Sequence, residues 1–73
     1  MAIHVRADDL GYGMLLSGID SHVDARALHY YFVENGLNAS LNPQSGGGYQ
    51  ILILGVSREA FELLAREADV DLT

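Results

Sequence analysis

Apolar residues recur at intervals of three and four in two stretches of the chain and at intervals of two in several others. Ala25, Leu28 and Phe32 share one face at helical spacing. Ser21 ahead of them is a good N-cap, Asp24 three residues on makes an approximate capping box, and Gly36 after Asn35 suits the left-handed position that ends a helix. A second helix is expected from Ser57, with Phe61, Leu64, Ala65 and Ala68 as its buried stripe. Glu59 falls in its first turn, where negative charge suits the dipole, and Glu62 and Arg66 stand i, i+4 as an expected ion pair. Strands are expected over 3–7, 12–17, 37–41 and 49–56. The first and third alternate cleanly, Ile3, Val5 and Ala7 against His4 and Arg6, Leu37, Ala39 and Leu41 against Asn38 and Ser40. They therefore read as edge strands with one wet face. The fourth is apolar on both faces through Ile51-Leu52-Ile53-Leu54 and reads, with the second, as the middle of the sheet.

The connections turn these elements into a topology. Asp8-Asp9-Leu10-Gly11 is short enough to require an antiparallel hairpin. The second strand reaches the third through the first helix, and residues 42–48, with Pro43 and three glycines, close a second hairpin. The order first-second-fourth-third satisfies every connection, with both helices on one face. The expected fold is α+β: a four-stranded antiparallel sheet, ββαββα, equivalent to a permuted ferredoxin-like plait. Residues 69–73 are too short to cross the sheet and are expected to add no strand. Residues 1–73 read as a single domain, and a chain of this size buries only roughly 60% of its unfolded surface, which leaves little room for a deep, dry active site.

Charge narrows the classes further. Ten acidic residues face four arginines and no lysine, a net charge of −6 that repels phosphate backbones and anionic membrane surfaces. Nucleic-acid and membrane partners are therefore not expected, nor is Schiff-base or P-loop lysine chemistry. The absence of cysteine excludes disulfides, thiolate nucleophiles and cysteine zinc sites. No signal peptide or apolar run of membrane-spanning length is visible, so a cytoplasmic location is expected.

From residue 21 to 68 the chain has the rhythm of small βαββα modules: Asp24-Ala25-Arg26-Ala27-Leu28, then Glu34-Asn35-Gly36-Leu37-Asn38-Ala39, then Gly48-Tyr49-Gln50-Ile51-Leu52-Ile53, then Ser57-Arg58-Glu59-Ala60. It resembles a family of small prokaryotic signal-transducing proteins. It also looks like ACT-type ligand-sensing domains and the sporulation-related repeats that bind peptidoglycan glycans. The resemblance to ACT-type domains implies a small metabolite held at a dimer interface. No functional residue is carried over from any of these families, and the lack of a visible export signal counts against the glycan-binding one.

Individual residues offer little chemistry. His22 and His29 lie seven apart on the first helix, whereas helical metal ligands want i, i+3 or i, i+4 spacing and a third ligand, so both read as helix-surface residues. His4 and Arg6 read as a polar guard on an edge strand. Asp8-Asp9 fits turn chemistry better than a calcium loop, whose ligands alternate over twelve residues. Ser45-Gly46-Gly47-Gly48 joins two strands, unlike a phosphate loop, which leads into a helix, and reads as a flexible hairpin. No nucleophile-base-orienter set emerges, so neither catalytic residue, metal nor cofactor is expected.

What remains is the sheet face away from the helices. If Gln50 points outward, so do Leu52 and Leu54, joined by Leu15, with Asn38, Ser40, His4 and Arg6 as a polar rim. The opposite register would put Ile51 and Ile53 outside and leave an apolar strip just the same. Tyr30, on the wet side of the first helix with Arg26 and Glu34, is a further candidate contact. The sequence thus points to a non-enzymatic protein-interaction module working through that face, a small acidic regulator or inhibitor of the kind phages aim at a host complex. Its partner would be another protein or a second copy in a homodimer. An ACT-like metabolite sensor is the alternative.

Overall fold

Both helices start on a serine whose hydroxyl takes up a free backbone N–H. In the computed structural model, which describes residues 3–72, Ser21 accepts from the Asp24 amide at 3.3 Å and Ser57 from the Ala60 amide at 3.2 Å. These caps open α1 (His22–Glu34) and α2 (Arg58–Glu67). At the far end of α1 the Leu37 amide returns to the Phe32 carbonyl and the Gly36 amide to that of Val33, with Gly36 at φ +82°. That is the Schellman closure expected of Asn35-Gly36. On α2 the ion pair formed is Arg58–Glu62, 2.9 Å, where Glu62–Arg66 was expected. Helical side chains lean toward the N-terminus, and Arg58 lies on the turn that Glu62 leans over.

The strands are β1 (Ile3–Asp9), β2 (Gly13–Ile19), β3 (Asn38–Pro43), β4 (Tyr49–Leu54) and β5 (Val70–Leu72). Met1, Ala2 and Thr73, which the sequence reading places in the domain, lie outside the described residues. The sheet runs β3-β4-β2-β1-β5. The expected antiparallel order of four strands is present within it, but the sheet has five strands and is mixed. β5 lies parallel to β1, with Ile3 opposite Val70 and Val5 opposite Leu72. Residues 69–72 do not cross the sheet, yet three of them form a strand, because a strand at the rim needs to pair with one neighbour only. β1 is consequently not an edge, and His4 is not a free guard residue, since its Nδ1 lies 3.3 Å from the Asp71 carboxylate. The fourth strand stops at Leu54, two residues short of expectation, because Gly55 turns the chain at φ +72° toward α2.

Both helices lie on one face of the sheet. Phe32 of α1 and Phe61 of α2 meet with ring centroids 5.8 Å apart, over Leu16, Ile51 and Ile53, and all five side chains are fully buried. Each contributes roughly 1.5–3 kcal/mol by removal from water. Met14, Val5, Ile19, Leu28, Ala25, Ala65 and Val56 complete the layer.

α2 hands over to β5 through Asp69, a non-glycine residue at φ +57°. The left-handed conformation costs an L-residue roughly 1–2 kcal/mol, and glycine avoids it while giving back about 0.5–1 kcal/mol of chain entropy. Asp69→Gly should therefore stabilise the fold by about 0.5–1 kcal/mol and Asp69→Val should destabilise it, as read from urea midpoints. Equal midpoints for the three proteins would show that this turn stores no strain.

Candidate functional site

The sheet face opposite the helices is covered by no element of the described residues. Its composition follows from one register. Ile51 and Ile53 are fully buried under the helices, so Gln50, Leu52 and Leu54 point the other way, and Leu54 is 38% exposed. Of the two registers open to the sequence, the leucines are outside. β-branched isoleucine packs well in the dense layer beneath the helices. Leu15 lies directly opposite Leu52 across β2 and β4, and Ser40 opposite Leu52 across β3 and β4. Asn38 stands opposite Leu54 and Asn42 opposite Gln50, while Asp8 continues the Leu15 row onto β1. The face is an apolar strip of Leu15, Leu52 and Leu54 with amides and hydroxyls on the β3 side and charges on the β1 side.

Four residues of this face escaped the sequence reading. Ser17 and Asn42 follow from the same alternation once Leu15 and Ser40 are placed outward. Asp8, expected in the turn, belongs to β1 and pairs with Arg6 at 3.4 Å. Asp71 carried no signal without β5. Asp9 does form the turn, its carboxylate accepting the Gly11 amide at 2.9 Å. Gly13, beside Leu54, is required by close approach, because a Cβ there would collide with the Ile53 backbone carbonyl.

Tyr30 does not belong with the others. It is 63% exposed on the outer side of α1, with the whole helix layer between it and the open face. The Glu34 carboxylate one turn on raises the pKa of its hydroxyl, chiefly by accepting its hydrogen bond. His29 is more engaged than a surface histidine, since its Nε2 lies 3.0 Å from the Ala39 carbonyl and ties α1 to β3. His22 packs against Tyr49 with ring centroids 5.2 Å apart and planes tilted by 43°. The 44–48 hairpin closes on itself through Gln44 and Gly48, and the Gln44 side chain accepts the Gly18 amide.

Charge divides unevenly between the two sides. Of the ten acidic side chains only Asp8 and Asp71 stand on the open face, beside Arg6 and His4 respectively. The other eight acids, against three arginines, lie in the helices, in the turns and around the rim. Among the described residues no polar or charged side chain is buried, no cluster of three or more histidines and carboxylates is arranged for a metal, and no helix is long and apolar enough to cross a membrane. The chain matches no protein-family model, no curated protein and no solved structure.

The tie between the two helices that hold this platform is titratable. The Tyr31 hydroxyl donates to the Leu64 carbonyl at 2.9 Å, and burial, then the nearby Glu67 carboxylate, pushes its pKa up. A raised folded pKa means that the contribution is complete below the ordinary tyrosine value and is lost as pH climbs through the raised one. Leu64 also accepts from the Ala68 amide, so Tyr31→Phe leaves no orphan carbonyl and should cost only about 0.5–1 kcal/mol at neutral pH. Above pH ~10 the gap between wild type and Tyr31→Phe should close in thermal melts. A gap that stays constant or widens with pH would show that the hydroxyl does not hold the helices together.

Proposed function

We propose that the protein is a non-enzymatic interaction module, a small regulator that binds a protein through the open face of its sheet. The observation that supports this most is the row Leu15-Leu52, with Leu54 beside it, lying on the uncovered side of two central strands and bordered by Asn38, Ser40, Asn42 and Gln50. An apolar centre in a polar rim is the anatomy of a protein interface. Antiparallel sheets do leave one face to water, but leucine is a costly choice there unless something covers it. The strand order β3-β4-β2-β1 with both helices on one side favours the permuted ferredoxin-like plait as the frame, with β5 as an addition at its edge. Acidity does not steer this face, because most of the negative charge lies elsewhere on the molecule.

Two neighbouring substitutions test the reading. Ile53→Asp places a charge in the closed core and should abolish cooperative unfolding, a loss of several kcal/mol. Leu54→Asp should keep the far-UV circular dichroism of the wild type, shift its melt only slightly, and release whatever protein the module holds. A Leu54→Asp protein that is folded and retains its bound protein would sink the proposal.

A further inference from the structure

We propose that the occupant of the open face is a second copy of this chain, docked sheet against sheet about a two-fold axis. The inference rests on the reading of that face as the working surface, and three features of the face select the copy over another partner. The first is electrostatic. Two copies of a −6 protein repel wherever their acidic surfaces meet. The helices, turns and rim carry eight acids against three arginines, whereas the open face carries two acids, one beside Arg6 and one beside His4. Docking through the open face turns the helix layers outward. With sheets ~10 Å apart and a helix layer ~10 Å beyond each, the acids of the two helix layers stand roughly 30 Å apart, well past the ~8 Å screening length at physiological salt. A basic partner would be drawn to the helix side instead.

The second feature is chemical. A two-fold interface brings the same surface from both sides, so its polar groups must satisfy their own kind. Ser17, Asn38, Ser40, Asn42 and Gln50 each carry both a donor and an acceptor and can pair with themselves or one another across the axis, which carboxylates alone cannot. Of the charges that are present, Asp8 is matched by Arg6 within each copy, and the Asp71 carboxylate lies 3.3 Å from His4 Nδ1.

The third feature is size. Four strands about 20 Å long and the three-residue β5 of about 10 Å, at ~4.8 Å spacing, present roughly 400–450 Å² of footprint per copy. Two copies give close to the ~1,000 Å² that a specific interface needs once side-chain relief is added. An area this modest implies a dissociation constant on the order of 1–100 µM, so the dimer forms reversibly.

Sedimentation equilibrium of the purified full chain from ~1 µM to ~1 mM tests this. The expected result is a monomer–dimer equilibrium that holds or tightens between ~50 and ~500 mM salt, because screening removes repulsion and no interfacial attraction. Leu52→Asp should raise the dissociation constant by about 100-fold or more with unchanged circular dichroism. Ser40→Glu, opposite Leu52 on the edge strand, adds like charge to both copies without touching the core and should raise it at least ~10-fold. Tyr30→Arg on the far side should leave it unchanged. A dimer that survives Leu52→Asp and Ser40→Glu but not Tyr30→Arg overturns the proposal in favour of α1. A chain that is monomeric to ~1 mM also overturns it. In that case, loss of a captured protein in Leu54→Asp would leave the open-face reading standing with a different occupant, and retention of that protein would remove both.

Discussion

Everything on this molecule depends on how β4 is registered against β2. Met14 lies opposite Ile53 and Leu16 opposite Ile51, and these four side chains form the floor on which Phe32 and Phe61 rest. Side-chain direction in a strand has a period of two, so a slip by one residue would carry both isoleucines to the open face and Gln50 into the core. Burial of Gln50 without a partner would cost about 1–3 kcal/mol on top of the lost isoleucine packing. Gly13 reinforces the register, because only a residue without a Cβ can lie so close to the Ile53 carbonyl. The packed core and the outward-facing leucine strip are thus two sides of a single pairing.

The helices follow from that floor. α1 spends Ala25, Leu28 and Phe32 on it, α2 spends Phe61 and Ala65, and the Tyr31–Leu64 hydrogen bond joins them above. Once the helices are committed to one face, their outer sides must be wet, and that is where much of the acidic surplus sits. The partition of charge between the two sides is therefore a consequence of layering as much as of composition. It leaves a small acidic protein with one face that carries two of its ten acids and is partly apolar, where another acidic molecule meets less repulsion than at the helix side.

The edges of the sheet are handled differently. β3 ends in Pro43 and is tied to α1 by His29, while β1 is covered by a three-residue strand that pairs in parallel. Parallel pairing normally requires a crossover, and α2 supplies it: the chain leaves β4, climbs α2 and returns through Asp69 in line with β1. The contact between His4 and Asp71 follows directly from that register.

Local signals decided much of this protein before any tertiary contact. The serine caps, the Asn35-Gly36 stop, the stripe of Ala25, Leu28 and Phe32, the two hairpins and the order of the first four strands were legible because each depends on residues a few positions apart or on the shortness of a connection. The candidate surface was legible only as a pair of alternatives, since Ile51-Leu52-Ile53-Leu54 is apolar on both faces and alternation says which residues go together, not which side is covered. That choice belongs to the tertiary structure, where the helices select the isoleucines and leave the leucines out. β5 was beyond local reading for a similar reason. Val70-Asp71-Leu72 alternates but is only three residues long, and it becomes a strand because α2 delivers it beside the unpaired edge of β1. Tyr30 was separated from the other candidate residues by the same layering, since a helix wheel shows that a residue is wet but not which face of the molecule the water lies on.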